Sequence, residues 1–390
     1  MNRNLLLLAL CQGLFLTNNV TFIAINGLVG LALAPVGWMA TLPVTGYVVG
    51  GALATGPVAR LQARLGRKRS FQIGLLVAML SAATCAWAVS QQNFWLLVGA
   101  TLVAGFYSAN ASLYRFAGPE LAAPAFKEKA ISLVLAGGII GAFIGPNLAS
   151  ATRTLLAVPF AGAYLVLVGV ALLSLLALSC IRFPDHRPPQ AGDARGRPLR
   201  EIAAQPVFIV AVTAAALGYG VMNLLMAATP IAMQQCQHPF DSAALVLEWH
   251  VLGMFVPSFF TGSLIKRFGA LPVMAVGVLL NLVCVAVALS GVELMQFLVA
   301  LFALGVGWNF LYVGGSTLLT QAYRPEEKNR AQGAMDFCVF STMAVSSFAS
   351  GALITTQGWT LLNLGSLLPL ALVGLALIWL ATRPSPKAYG

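Results

Sequence analysis

Charge is scarce in this chain of 390 residues: 8% of it is Asp, Glu, Lys or Arg, against roughly a quarter in a soluble globular domain. An ordinary water-soluble fold is thereby excluded. Acidic residues number 11 and histidines 3, and no His-Glu-x-x-His, Gly-x-Ser-x-Gly or phosphate-cradling Walker loop is present. An enzyme is not expected. The six cysteines, Cys11, Cys85, Cys180, Cys236, Cys284 and Cys338, lie far apart and mostly within apolar segments, which argues against a disulfide framework or a zinc site. The strict apolar and polar alternation of barrel strands is missing too. The one sizeable hydrophilic segment is 183–206, too short for a soluble output domain, so a membrane-bound sensor is disfavoured.

What remains is apolar: 59% of the residues are hydrophobic and the mean hydropathy is +0.86. Windows of about 20 such residues cross a hydrocarbon core of roughly 30 Å as helices, the only open-chain structure that satisfies its own backbone in lipid. Twelve are predicted, over 5–33, 36–58, 71–90, 92–116, 131–150, 154–181, 207–233, 243–265, 270–290, 294–320, 331–356 and 359–382. With the N-terminus inside, every basic residue except Arg153 falls on the cytoplasmic side, among them Arg60, Arg64, Arg67, Lys68, Arg69, Lys266 and Arg267. The net charge of +11 is then explained by anionic lipid headgroups, and no nucleic-acid partner is expected. Met-Asn-Arg-Asn runs straight into an apolar stretch with no small-residue cleavage site, so the first helix is expected to stay.

The Pro- and Arg-rich segment 183–206 reads as a cytoplasmic linker between two six-helix bundles, 1–182 and 207–390. Ala63-Arg64-Leu65-Gly66-Arg67-Lys68 and Lys266-Arg267-Phe268-Gly269 form a faint internal repeat with an offset of 203 from Arg64 to Arg267. Ala59 to Lys68, and more loosely Gly262 to Gly269, resemble the loop signature of the major facilitator superfamily, although the signature's Asp is Ala63 in one copy and Lys266 in the other. Gly141-x-x-x-Gly145-Pro146 resembles an antiporter motif but also suits plain helix packing. The resemblance implies an all-α membrane protein, twelve transmembrane helices in two six-helix pseudo-repeat bundles, working as a secondary transporter. It also implies a bacterial inner-membrane location, both termini cytoplasmic, and a monomer surrounded by lipid.

Soft donors form the most pointed pattern. Met222-x-x-x-Met226 and His250-x-x-x-Met254 are mirror images about position 238, so an antiparallel hairpin brings Met226 level with His250 and Met222 level with Met254. Three thioethers and an imidazole suit Cu(I) rather than a hard cation. A Met stripe is equally ordinary core filler, whereas His250 inside a span is a functional candidate. The pattern resembles CcoA-like bacterial copper importers, which implies Met222, Met226, His250 and Met254 as ligands. The same resemblance implies copper as cargo rather than cofactor, a cytoplasmic acceptor, and supply to cbb3-type cytochrome oxidase. Neutral His250 would make such uptake weaken in acid.

Secondary candidates surround these. Met233, Cys236 and His238 near the outer turn, with Cys11 and Cys338 further inward, are accessory relay candidates; a polar turn and inert buried thiols explain them as well. Glu248 and Asp336 are the candidates for proton coupling. His186 reads as solvated in the linker. Asn18, Asn19, Asn26, Asn223 and Asn309, with Trp308 and Tyr312, suit the lining of a polar cavity for an organic solute. The copper-importer family resembled here is also similar to bacterial riboflavin importers on the same scaffold, which implies as the alternative a riboflavin-like solute importer, or a drug exporter.

Overall fold

In the computed structural model, residues 3–36, 39, 42–185 and 196–383 are described; His186 and the rest of 186–195 in the linker lie outside them. The described residues are helical, with no strand among them. Before the linker come α1 (Arg3–Leu33), α2 (Leu42–Ser90), α3 (Phe94–Ala111), α4 (Tyr114–Leu121), α5 (Lys127–Ala136), α6 (Gly138–Thr152) and α7 (Ala161–Ser179). Then follow α8 (Leu199–Ala203), α9 (Pro206–Gln235), α10 (Phe240–Phe255), α11 (Ser258–Phe268), α12 (Ala270–Ser290), α13 (Leu294–Leu319), α14 (Lys328–Thr356) and α15 (Gly358–Ala381). The short α8 lies inside the predicted linker.

Among the described residues, eleven helical stretches are long and apolar enough to cross a membrane. One of them, α2, has 49 residues, which at about 1.5 Å each is far longer than a single crossing needs. It bends at Gly66, whose φ of 77° and ψ of 173° belong to a region essentially reserved for glycine. Tyr47 in the first arm and Cys85, Ala86 and Val89 in the second share one buried cluster, so the arms lie side by side. Counted as two, they bring the crossings to the expected twelve. The difference is local: 59–70 falls between two predicted spans, yet it is helical on both sides of Gly66.

Gly269 repeats that backbone state, with φ 89° and ψ 164°, between α11 and α12. It stands at the same offset of 203 from Gly66 as Arg267 from Arg64. Other predicted spans are interrupted. The fifth breaks at Gly137 between α5 and α6, and the eighth at Pro257, which has no N–H to donate. The sixth begins late, at Ala161, after Phe160 in a left-handed conformation.

Small residues set how closely the helices approach. A Cβ on Gly105 of α3 would strike the backbone of Gly50, Gly51 and Tyr47 on α2, so this crossing depends on two glycine-lined surfaces. The helices before and after the linker meet chiefly through α2 with α14 and α5 with α11. Side-chain bonds reinforce this contact at the end bearing Arg64, Arg69, Lys266 and Arg267, hereafter the basic end. Arg67 donates to Gln332 Oε1 at 2.7 Å, and Lys328 donates to Glu120 Oε1 at 2.9 Å. Ser132 Oγ donates to the Ser258 carbonyl.

The chain just after the undescribed linker residues is fastened to its own side. Arg197 donates from Nε and Nη2 to the two carboxylate oxygens of Glu327, at 2.9 and 2.7 Å, and from Nη2 to the Ala322 carbonyl at 3.1 Å. The Glu327 carboxylate holds the Arg197 guanidinium above its ordinary pKa.

Candidate solute site

A central cavity of about 90 Å³ lies where α1, α2, α9, α13 and α14 converge. One wall is aromatic. Trp308 and Tyr312 stand one turn apart on α13 and stack, with centroids 5.0 Å apart and planes 17° from parallel. Tyr219 of α9 meets both edge-on, at 5.3 and 5.4 Å, and Phe255 meets Trp308 at 5.9 Å. Such edge-to-face contacts fix ring orientation as well as bury area.

Polar groups also come from α1, alongside the apolar Phe15, Leu16 and Ile23. Gln12 and Asn19 project from α1, and their side-chain carbonyl oxygens are buried without a hydrogen-bond partner among the described residues. The Trp308 Nε1–H is likewise unpartnered. Buried polar atoms are nearly always satisfied, so two acceptors and one donor left over around one cavity mark a place where a ligand supplies the missing bonds. The floor carries the charge: Arg115 and Asp336 form an ion pair, and Arg115 Cζ sits 4.7 Å from the Tyr312 ring centroid. The cavity therefore offers a flat aromatic surface, hydrogen-bonding edges and one guanidinium–carboxylate pair.

A second, open groove of about 1810 Å³ lies at the basic end, between the first arm of α2 and α14. Cys338 faces it, with Phe337, Arg60 and Lys328.

The four soft donors lie elsewhere, and none lines the central cavity. Met222 and Met254 are buried in the apolar core, and Met226 is half-buried against it. His250 is wholly buried, its Nδ1 at 2.7 Å from the Leu301 carbonyl, which makes Nδ1–H the donor and leaves Nε2 unpartnered. That bond turns the ring toward α13, against which α10 packs more extensively than against α9. The Met254 carbonyl accepts from Asn309 Nδ2 of α13 at 2.7 Å.

The accessory candidates are scattered. Met233 is buried, and Cys236 follows the last residue of α9, partly exposed. His238 Nε2 is 2.7 Å from the Val292 carbonyl. The Cys11 thiol donates weakly to the Ser174 carbonyl at 3.8 Å. Of the two carboxylates, Glu248 is exposed and Asp336 is buried in the cavity floor. Among the described residues, no three of His, Cys, Asp and Glu gather as a metal site.

The asparagines divide by role. Asn19 lines the cavity with Trp308 and Tyr312. Asn18 donates to the Leu167 carbonyl, Asn26 accepts from the Tyr164 hydroxyl, and Asn223 donates to Ser346 and Ser347, so these three tie helices together. Sequence reasoning missed Gln12, Tyr219 and Arg115 as cavity residues. The positive-inside pattern places Arg115 only on the cytoplasmic side, whereas it is buried on α4.

Residues 5–247 and 214–390 match the description Major Facilitator Superfamily. The chain belongs to that superfamily. It is thus a multi-pass membrane protein of a transporter class, not an enzyme. The riboflavin transporter RfnT of Brucella anthropi is 39% identical over 387 residues, covering 99% of this chain and 96% of that one. An uncharacterized MFS-type transporter of Bacillus subtilis, YddS, is 27% identical over 90% of this chain and 84% of its own.

Among solved structures, the superfamily transporter FucP in the outward conformation aligns with a TM-score of 0.77 at 17% identity, over 98% of this chain and 99% of that one. A bacterial homologue of the iron transporter ferroportin, also outward-facing, aligns at 0.76 and 15% identity, over 98% of this chain and all of its own. These two share the fold.

The similarity to RfnT overturns the expectation of a copper importer serving cbb3-type oxidase. Its physical origin is plain: a four-residue spacing specifies a helix face but not the neighbour that face meets, and methionine is a common filler of apolar interiors.

Proposed function

We propose that the chain imports riboflavin or a closely similar planar heteroaromatic solute across the bacterial cytoplasmic membrane by alternating access. The full-length similarity to a riboflavin transporter carries this reading. The cavity chemistry supports it, since a fused heteroaromatic ring brings a flat π face for Trp308 and Tyr312 and an imide edge that both donates and accepts. Gln12, Asn19 and Trp308 supply the matching acceptors and donor.

In this reading 1–182 and 207–390 are the two rocking bundles, with 183–206 as the cytoplasmic tether. The basic end faces the cytoplasm, as the positive-inside rule requires, and both termini lie there. The protein works as a monomer with lipid against exposed side chains such as Leu80, Phe348 and Leu368.

The test is uptake of radiolabelled riboflavin by a riboflavin-auxotrophic bacterium expressing the chain, beside an empty-vector control. Saturable accumulation that excess unlabelled riboflavin abolishes is the expected result. Accumulation no greater than the vector's would remove riboflavin from consideration.

A further inference from the structure

Phe15 of α1 separates the central cavity from a second polar region inside the helices that precede the linker. Its side chain lines the cavity, and its ring meets Tyr107 of α3 and Tyr114 of α4 edge-on, with centroids 5.4 and 6.5 Å away. Cys11 stands one turn earlier on the same face of α1, and its thiol reaches the Ser174 carbonyl of α7 at 3.8 Å. Four helices thus bring Cys11, Tyr107, Tyr114 and Ser174 together behind Phe15, none of them more than 3% exposed and none lining the cavity.

The hydroxyls of Tyr107, Tyr114 and Ser174 lie beside one another, yet none is aligned for a hydrogen bond with another or with any other described residue. Buried hydroxyls are seldom left unpaired, and phenylalanine and alanine would fill the same space without that cost. Gln12, next to Cys11 in the chain, carries an unpaired carbonyl oxygen on the cavity side. Unpaired polar atoms therefore occur on both sides of Phe15.

The cavity encloses about 90 Å³, against roughly 300–1,000 Å³ for sites that take drug-sized molecules, so a vitamin-sized solute fits only where a wall gives. Phe15 is the wall residue with hydroxyls at its back. A change of rotamer moves a phenyl ring while the helix that carries it stays in place.

We propose that Tyr107, Tyr114 and Ser174 form a subsite for the hydroxylated chain of the solute, and that Phe15 turns aside to admit it. This inference rests on the function proposed above and names the part of the solute that this side of the molecule recognises. The heteroaromatic ring lies against Trp308 and Tyr312, and the chain runs past Phe15 to the three hydroxyls. Each of these both donates and accepts, as does every alcohol of a polyol, so the pairing needs neither charge nor proton transfer. Ring and chain are then held from opposite sides of the linker, and a solute that has both bridges the two sets of helices.

The test compares riboflavin with lumiflavin, which keeps the ring system and carries a methyl group in place of the polyol chain. In right-side-out membrane vesicles containing the protein, the KM of radiolabelled riboflavin and the inhibition constant of lumiflavin against it are measured. The unsubstituted protein should bind lumiflavin at least about tenfold more weakly than riboflavin. Tyr107→Phe, Tyr114→Phe and Ser174→Ala should each raise the riboflavin KM by about three- to tenfold, the effect of one lost neutral hydrogen bond, and leave the lumiflavin constant within about twofold. Trp308→Ala should weaken both flavins together.

Lumiflavin binding as tightly as riboflavin to the unsubstituted protein overturns the proposal, whether or not any variant can be produced. So does an unchanged riboflavin KM in all three hydroxyl variants, or a rise matched by an equal rise in the lumiflavin constant. Riboflavin uptake without discrimination between the flavins removes the subsite alone. Absence of riboflavin uptake by the unsubstituted protein removes the proposed function, and the subsite with it.

Discussion

Trp308 and Tyr312 stack one helical turn apart on α13, and Tyr312 also lies under the Arg115 guanidinium, 4.7 Å from its Cζ. One aromatic ladder thus joins the wall of the cavity to the ion pair in its floor. The first prediction follows from that ladder. Stacking of a heteroaromatic base on an aromatic side chain contributes about 1–3 kcal/mol, so Trp308→Ala should raise the KM for riboflavin by about five- to a hundredfold. Trp308→Phe keeps a ring and loses only the N–H, so its KM should fall between. Initial-rate uptake at several concentrations checks both, and an unchanged KM in Trp308→Ala would place the solute elsewhere.

Gln12 offers a prediction in which stability and binding move in opposite directions. Its buried carbonyl oxygen has no partner, so Gln12→Leu removes an unsatisfied group and should leave the thermal midpoint equal or higher. If the solute completes that bond, affinity should drop by roughly three- to tenfold, the worth of one neutral hydrogen bond of about 0.5–1.5 kcal/mol. Thermal unfolding in detergent and riboflavin binding on the same preparation give the two readings. A variant that binds normally assigns the oxygen no part in recognition.

Gly66 and Gly269 share a backbone state that a side chain disfavours by about 1–3 kcal/mol. Gly66→Ala and Gly269→Ala should each lower stability by that amount, seen as a reduced melting temperature or a reduced yield of monodisperse protein. Gly99, around which a Cβ meets nothing within 4 Å, serves as the control, and Gly99→Ala should be nearly neutral. Equal behaviour of all three would contradict the assignment of the turns to backbone geometry.

Met222 and Met254 are interior side chains on this account. Met222→Leu and Met254→Leu are volume-conserving exchanges that cost less than about 1.5 kcal/mol, and riboflavin uptake should stay within about twofold. A copper chelator added during uptake should have no effect. Loss of riboflavin uptake on chelation, restored by copper, would show that the thioethers do more than fill space.

The architecture was legible because lipid imposes a coarse and repeated requirement. Apolar length specified the crossings, the basic residues specified which loops share an end, and the offset of 203 between Arg64 and Arg267 anticipated the matching turns at Gly66 and Gly269. Interruptions were less legible. Hydropathy continues unbroken through Gly137 and Pro257, so the composition there hides the interruptions between α5 and α6 and between α10 and α11.

The site was legible only in part, for a reason of distance along the chain. Trp308, Tyr312 and Asn19 could be nominated one by one as polar or amphipathic residues inside spans. The pairing of Arg115 with Asp336 joins positions 221 apart, and no local spacing foreshadows it. His250 likewise takes a partner that no local spacing shows: its Nδ1 lies 2.7 Å from the Leu301 carbonyl, 51 residues further on.

The small size of the central chamber bears on how inhibitors of this carrier would be found. Sites for drug-sized molecules span roughly 300–1,000 Å³, and this one encloses about 90 Å³. Compounds that complement the chamber as it stands are fragments of a single ring or so. Such fragments would find room in the chamber without any helix moving, whereas drug-sized compounds would not.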